Sequence, residues 1–594
     1  MKLKRKNLMA ILPFILIAAV LPYIMRVSVV PLQDIGIVHW HADPFFDHYS
    51  HFRGQFFIAL SLLATWVWMS RLLTRKQQFE FNSSYYYIGG LFLITLFSTL
   101  FSEHTSMALQ GFPARYEGFY IWTAYFLTFV AGFNLLTEPQ DQRLLFRALL
   151  ISATGLTAIG FFQYIGHNFF ATDFGLWLMY PDYLAEFRES VDFRRGAGSM
   201  SIAFNNPNYV GSYFAMIFPL VLVFFLASRE KSAKLFYGGL SAFYFLAVLG
   251  SRSRAGWVGN AIAIFLLLIM MRKSLLKQWK LMVSLLLVFA LAFTAMNHFS
   301  NDSLRRSVTL EGRVVEEEDT YVLRDVRFEE NRAYFETSRE DLVIVLEERE
   351  DHDSVLQFIS EEGELLPYGE DQPGDGSIVF TPDDVAYEAF RVVFQDRVFN
   401  VYFENHRIPM VYSEGEFYLL SYDQTIVDVI HPPSFGFEGW ERVGSGRGYI
   451  FSRSFPIMKN TLLLGHGPDL YPLYFPQHDV LGKAMYLNNP FIYVDKPHNL
   501  YLQLALNHGV PALLLFLALI GRYSFYSLRL FLKNTDPKDF QDLLARGVFL
   551  AVIGYCFAGF FNDSLVAVSP VFWVLLALGH RLTHDLQKKH PAKV

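Results

Sequence analysis

Lys496-Pro497-His498-Asn499-Leu500-Tyr501-Leu502-Gln503 opens an apolar run that continues to Ile520 and follows about 200 mostly polar residues. A run of that length and apolarity reads as re-entry into a bilayer, whose hydrocarbon core of ~30 Å takes about 20 residues of helix. An ionisable imidazole at the mouth of such a span is costly unless it does something there, so chemistry is expected on that face.

Working outward, the composition agrees with a membrane reading. The chain of 594 residues is 53% hydrophobic and 17% aromatic but only 18% charged, a balance normal for multi-span membrane proteins and too apolar for a soluble one of this size. The single cysteine, Cys556, lies inside an apolar stretch, so no intrachain disulfide forms and redox chemistry is not expected. About 12 apolar stretches are long enough to be read as transmembrane helices: 7–25, 54–71, 85–101, 118–135, 147–165, 209–227, 235–250, 255–271, 281–297, 499–520, 547–565 and 570–585. The expected fold class is an all-α polytopic membrane protein with a β-rich, sandwich-like extracytoplasmic insert.

Alternate loops carry the lysines and arginines, at 1–6, 71–76, 229–234, 272–280, 522–546 and the tail after His580. The positive-inside bias puts these in the cytoplasm, with both termini. The long segment 301–440 is different, with 33 Asp plus Glu, 11 Arg and no Lys, whereas the rest of the chain is net positive. Its alternating β-branched and aromatic runs at 307–310, 342–346, 390–394 and 398–403, separated by turn formers at 373–376 and 414–416, read as strands. The expected organisation is a bundle of about nine helices over 1–300, the acidic β-rich insert 301–440, the rest of a large outer loop over 441–498, and the last three helices and cytoplasmic tail over 499–594. The acidity of the insert fits a solvated spacer as well as a carbohydrate-binding module, because fold does not fix function.

Positive charge on the outer side runs against the inside bias, and it recurs. Arg115 and Glu117 lie in Gly111-Phe112-Pro113-Ala114-Arg115-Tyr116-Glu117-Gly118, and Arg195 precedes Phe204-Asn205-Asn206-Pro207-Asn208. Arg252 and Arg254 lie in Ser251-Arg252-Ser253-Arg254-Ala255-Gly256-Trp257, and Arg447 follows the insert. Singly, each arginine is read as snorkelling to the interface or pairing with a nearby acid. Four such sites on one face favour a held polyanion, because the guanidinium fork matches phosphate oxygens and stays charged; a pyrophosphate is the natural ligand.

These motifs resemble the O-antigen ligase and polymerase family of membrane glycosyltransferases over roughly 85–300 and 442–585, outside the acidic insert. Gly111 to Gly118 is similar to the family's G-x-x-x-R-x-x-G boundary. Arg195 with Asn206-Pro207-Asn208 resembles its R-x-x-G-x-F-x-x-P-N pattern, with three extra residues before Phe204. Ser253-Arg254-Ala255-Gly256-Trp257 resembles its S-R-G/A segment, and Arg447 with Leu464-Gly465-His466-Gly467-Pro468 resembles the R…P-L-L-G-x-G run that closes the large loop. Pro497-His498-Asn499 with Gly509-Val510-Pro511 resembles the H-N-x-y-L…G-i-p-G signature, with Ala512 where the family often has glycine.

The resemblance implies glycan transfer from a polyprenyl diphosphate carrier, undecaprenyl diphosphate in a bacterial cell envelope, to an acceptor hydroxyl. The partners it implies are the lipid-linked donor, an acceptor glycan, lipid or protein, and the bilayer of the cytoplasmic (inner) membrane; no nucleic acid and no cofactor are expected. His498 is the expected catalytic base, Arg447, Arg254, Arg195 and Arg115 the expected diphosphate-binding residues, and Arg252, Asn499, Asn208 and Glu117 the expected support, with His466 and His508 as lesser helpers. Inversion without a metal ion is expected. His39, His41, Asp43, Asp47, His48 and His51 are the residues a metal reading would use, yet they form no zinc-ligand spacing of known type. Ligase and polymerase stay open, and so does a different class, a transporter or flippase for lipid-linked glycans. Carriers usually place charge and broken helices at mid-membrane, whereas charge here gathers at the outer rim.

Overall fold

The computed structural model describes residues 8–32, 44–188, 197–308, 322–348, 354–533, 537 and 539–589. Helices lie at all twelve apolar stretches. Seven are long and apolar enough to cross a membrane: His51–Leu73, Pro139–Tyr164, Pro207–Ala227, Lys231–Gly250, Trp279–Phe299, Val510–Lys533 and Phe540–Ala558. Four shorter apolar helices, Leu8–Tyr23, Ser84–Leu100, Phe119–Leu135 and Arg254–Met270, accompany them, as does Ser569–Lys589.

Pro207–Ala227 and Phe540–Ala558 pack against each other and against Arg254–Met270, and the first two are buried along nearly their whole length. Aromatic rings fill much of the space around them. Tyr125 stacks on Trp573 at 5.7 Å between centroids, and Tyr555 on Phe572 at 4.3 Å. Such ring pairs add about 0.5–1.5 kcal/mol beyond the area they bury.

One expected span is corrected. The stretch 499–520 is not a single helix but two, Leu500–His508 and Val510–Lys533, and the candidate span is the second. The break falls at Gly509, whose φ of 104° belongs to the left-handed side of backbone space. A Cβ there would lie 2.8 Å from the Leu463 carbonyl oxygen, so the loop 463–465 packs where a side chain would stand. The nine-residue helix that begins right after His498 is therefore a separate short element at the end of the bundle.

The insert is built from two antiparallel sheets, a five-stranded one over Leu323–Leu366 and a seven-stranded meander over Tyr368–Val427. Their inner faces share one hydrophobic cluster, with Phe335 meeting Phe390 edge-on at 5.8 Å across the sheets. The strands expected at 342–346, 390–394 and 398–403 are present. The one expected at 307–310 is not: Ser303–Val308 is a short helix, set off from Trp279–Phe299 by the left-handed Asn301 and Asp302, and 309–310 lie outside the described residues.

The shared cluster also takes in Val480, Leu481, Ala484 and Met485 from the helix Val480–Leu487, downstream of the insert. His406 Nδ1 lies 3.1 Å from the Ala484 carbonyl oxygen. Deleting 301–440 would strip this helix of its partner at about 1.5–3 kcal/mol per large apolar side chain uncovered. Limited proteolysis of such a deletion variant is expected to cut within 475–490 while the helical bundle stays intact; protection equal to that of the full chain would refute the coupling.

Candidate functional site

At one end of the bundle the loops between helices close over a buried ionic cluster. The first is 111–118, between Thr105–Gln110 and Phe119–Leu135. Gly111 has φ 100°, and a Cβ on it would fall 2.5 Å from the Glu117 backbone nitrogen, so the loop folds back on itself and turns Arg115 and Glu117 inward. Arg115, 3% exposed, donates from Nε to Asp469 Oδ1 at 2.7 Å and from Nη1 to Asp563 Oδ2 at 2.6 Å. Its Nη2 is 3.8 Å from Glu117 Oε2. Asp469 in turn accepts the backbone N–H groups of Phe112 and Glu117 through Oδ2, at 2.9 and 3.1 Å. One guanidinium thus ties together three loops from distant parts of the chain.

His498 stands beside this cluster. Its backbone has φ 51°, a region in which non-glycine residues are rare and which concentrates at functional positions. The Asn499 side chain follows as helix cap, accepting from the N–H groups of Tyr501 and Leu502 at 2.9 Å each. Its amide donates to the Phe560 carbonyl oxygen at 2.9 Å, and the Leu500 N–H donates to that of Gly559 at 2.8 Å, which pins the His498 turn to the 559–568 loop. The imidazole, 26% exposed, has Nδ1 3.7 Å from Asp563 Oδ1. Asp563 Oδ2 also accepts from Tyr209 Oη at 2.8 Å. Lys496 Nζ is 3.3 Å from Asp495 Oδ2 and lies over the Tyr209 ring.

The electrostatics follow from burial and from these neighbours. Burial would raise Asp563, but Arg115, Lys496 and His498 hold it well below the usual carboxylate range, so it is an anion. Burial, helped by Lys496 and Arg447, holds His498 below its usual value against the pull of Asp563, which leaves the imidazole neutral at pH 7. Burial also presses Arg447 downward, with Arg254 adding to it while Asp563 and Tyr209 oppose. Lys496 loses hydration too, yet Asp495 and Asp563 carry it above its ordinary range. Glu117 is pushed up to about 7 by burial, with Arg115 pulling the other way. Its Oε1 accepts from Tyr125 Oη at 2.6 Å and Ser564 Oγ at 2.8 Å, and the Ser564 N–H donates to Gln503 Oε1 at 2.8 Å.

Of the residues expected from sequence, the fold gathers His498, Asn499, Arg115, Glu117 and Arg447 around Asp563. Asn208 joins through its backbone, its carbonyl oxygen accepting from Asn562 Nδ2 at 3.0 Å beside Asp563. Arg254 is exposed, with Nε donating to the Ser307 carbonyl oxygen at 3.2 Å, and its charge is felt by Arg447. Arg252 instead lies by Tyr164 and Arg306. Arg195 lies outside the described residues. His508 is buried edge-on against Trp122 at 4.4 Å, and His466 stacks on Tyr474 at 3.6 Å. In the first loop, Asp47 accepts the N–H groups of Tyr49, Ser50 and His51, His48 Nε2 meets Tyr180 Oη at 2.6 Å, and His51 Nδ1 meets Ser28 Oγ at 2.9 Å. His39, His41 and Asp43 lie outside the described residues.

Sequence reasoning missed Asp563, Asp469, Lys496 and Tyr209 as members of the cluster. Asp563 carried a usable signal, since an acid in a short apolar turn between two helices marks a functional position by default. Asp469 carried none, being one acid in a polar loop.

The fold and the site together define a polytopic membrane protein with a buried carboxylate–imidazole–cation cluster under its largest loop. Residues 392–517 match the family model described as O-antigen ligase, which bears out the family resemblance read from the motifs. The matched segment begins in the strand Phe390–Gln395, inside the acidic insert that the motif likeness had left out, and runs through Arg447 and His498 into the helix Val510–Lys533. No curated protein and no solved structure matches the chain.

Proposed function

We propose that the protein transfers a glycan from a polyprenyl diphosphate carrier to an acceptor hydroxyl, acting as an O-antigen ligase-type enzyme in cell-surface polysaccharide synthesis. The observation that supports this most is the pairing of a neutral, partly exposed His498 with the anionic Asp563, beside the cations Arg447 and Lys496. Asp563 faces Nδ1 of the imidazole, which leaves Nε2 to take the proton of the acceptor hydroxyl. The new bond forms between the acceptor oxygen and the anomeric carbon as the bond from that carbon to the diphosphate oxygen breaks, with inversion. Asp563 steadies the imidazolium that results, as a carboxylate partner does for other histidine bases. Charge growing on the departing diphosphate meets Arg447, Lys496 and the exposed Arg254.

Arg115 takes a different part in this scheme from the one its motif implied. With its donors committed to Asp469 and Asp563, it is a positioning residue that fixes the acid behind His498. The site end of the bundle faces outward in this reading, with the basic loops and both termini cytoplasmic and the insert outside. A polymerase would use the same site chemistry on a repeat-unit acceptor.

Reconstitution of the purified protein in liposomes with a labelled lipid-diphosphate glycan and acceptor tests the reading. A new glycosidic bond with release of the lipid diphosphate is expected, and Arg447→Ala is expected to lower the transfer rate by about 10²- to 10³-fold, the range for loss of one charge-stabilising donor. Movement of label across the bilayer without bond formation would replace the transferase by a flippase.

A further inference from the structure

At the end of the bundle opposite the site, three helices begin side by side: Pro139–Tyr164, Lys231–Gly250 and Phe540–Ala558. Just past their starts lies a groove of about 410 Å³. Arg143 and Arg147, one turn apart on the first helix, stand at its edge, and Phe236, Tyr237 and Phe540 form its walls. Arg143 lies over the Phe540 ring at 4.3 Å. The groove runs on to Ile151, which is 74% exposed, as Phe236 is 57% exposed, so its deeper part opens sideways toward the lipid.

Both guanidinium groups are open to an anion. Neither guanidinium lies within ion-pair distance of a carboxylate among the described residues, and both side chains are exposed. Arg147 sits eight residues beyond the helix start, roughly 12 Å along the axis at 1.5 Å per residue. The apolar span begins at 147, so Arg143 and Arg147 stand where the helix meets the head groups.

We infer that this groove is a binding site for an anionic glycerophospholipid, its phosphate held between Arg143 and Arg147 and an acyl chain laid along Ile151 and Phe236. The lipid is a ligand in its own right, distinct from any glycan carrier handled at the other end of the bundle. A free phosphate would satisfy the arginines but would leave the apolar trough uncovered, which is why the reading commits to a lipid. A basic pocket between helices at the level of the head groups is a recurrent form of lipid recognition.

Native mass spectrometry of the purified full chain, released from detergent doped with phosphatidylglycerol or phosphatidylcholine, tests this. Retention of phosphatidylglycerol over phosphatidylcholine is expected, and the double variant Arg143→Gln, Arg147→Gln is expected to weaken it by about 10- to 30-fold, the factor for two basic residues at a membrane surface. The variant Arg143→Lys, Arg147→Lys, which keeps the charge, is expected to retain most of the preference, and this separates lost binding from lost folding. Equal retention of the two lipids would leave only an apolar groove and overturn the inference. So would unchanged retention in the glutamine variant, loss in the lysine variant equal to that in the glutamine variant, or full displacement of the lipid by millimolar inorganic phosphate.

Discussion

Replacing His498 by alanine is expected to lower glycan transfer by about 10²- to 10⁴-fold, the span usual for loss of a positioned general base. The geometry gives this prediction its pH dependence. A base must be neutral to accept a proton, and burial holds the His498 imidazole below its ordinary value while Asp563 only partly offsets that effect. Transfer by the native protein should therefore be flat through pH 7 and fall only on the acid side, below the usual histidine range, as the ring protonates. Asp563→Asn removes the carboxylate that raises the imidazole, so the acid limb should move to still lower pH while the rate drops across the whole range. The measurement is the rate of lipid-diphosphate release against pH for the three proteins. An acid limb that stays in place in Asp563→Asn would separate the two residues, and full activity in His498→Ala would remove the imidazole from the chemistry.

The second large effect is on folding. Arg115→Met keeps the side-chain length and removes the charge that Asp469 and Asp563 share at 2.7 and 2.6 Å. Both carboxylates are 2% exposed or less, and breaking a buried ion pair from one side costs about 3–5 kcal/mol because the remaining charge has no partner and no water. The melting temperature of the purified protein should fall by many degrees and transfer should be lost with it. The double variant Arg115→Met, Asp563→Asn should recover part of the stability without the activity, since one of the stranded charges is gone. A melting temperature unchanged in Arg115→Met would mean the cluster contributes nothing to the fold.

How the site became visible in the sequence differs from residue to residue. His498 and Asn499 are adjacent, and a histidine followed by a capping asparagine at the mouth of an apolar run carries its meaning locally; the structure adds the left-handed backbone and the links to Gly559 and Phe560. Arg447 was legible as a cation out of place on its side of the membrane. Arg115 was legible as a charge but not as a committed one, because its partners lie 354 and 448 positions away in sequence. Gly509 was legible as part of a motif, yet the periodic apolar pattern ran straight through it, and only the backbone of 463–465 pressed against it makes the helix stop.

Hydropathy and side-chain period, being properties of neighbours along the chain, were enough to mark a polytopic membrane protein, its apolar stretches and its acidic β-rich insert, though not the helix break at Gly509. Which cations are already neutralised and which remain available, and that the insert's core borrows the helix Val480–Leu487, came from the folded chain alone. Burial and ion pairing arise where loops hundreds of residues apart meet, and no local pattern encodes that meeting.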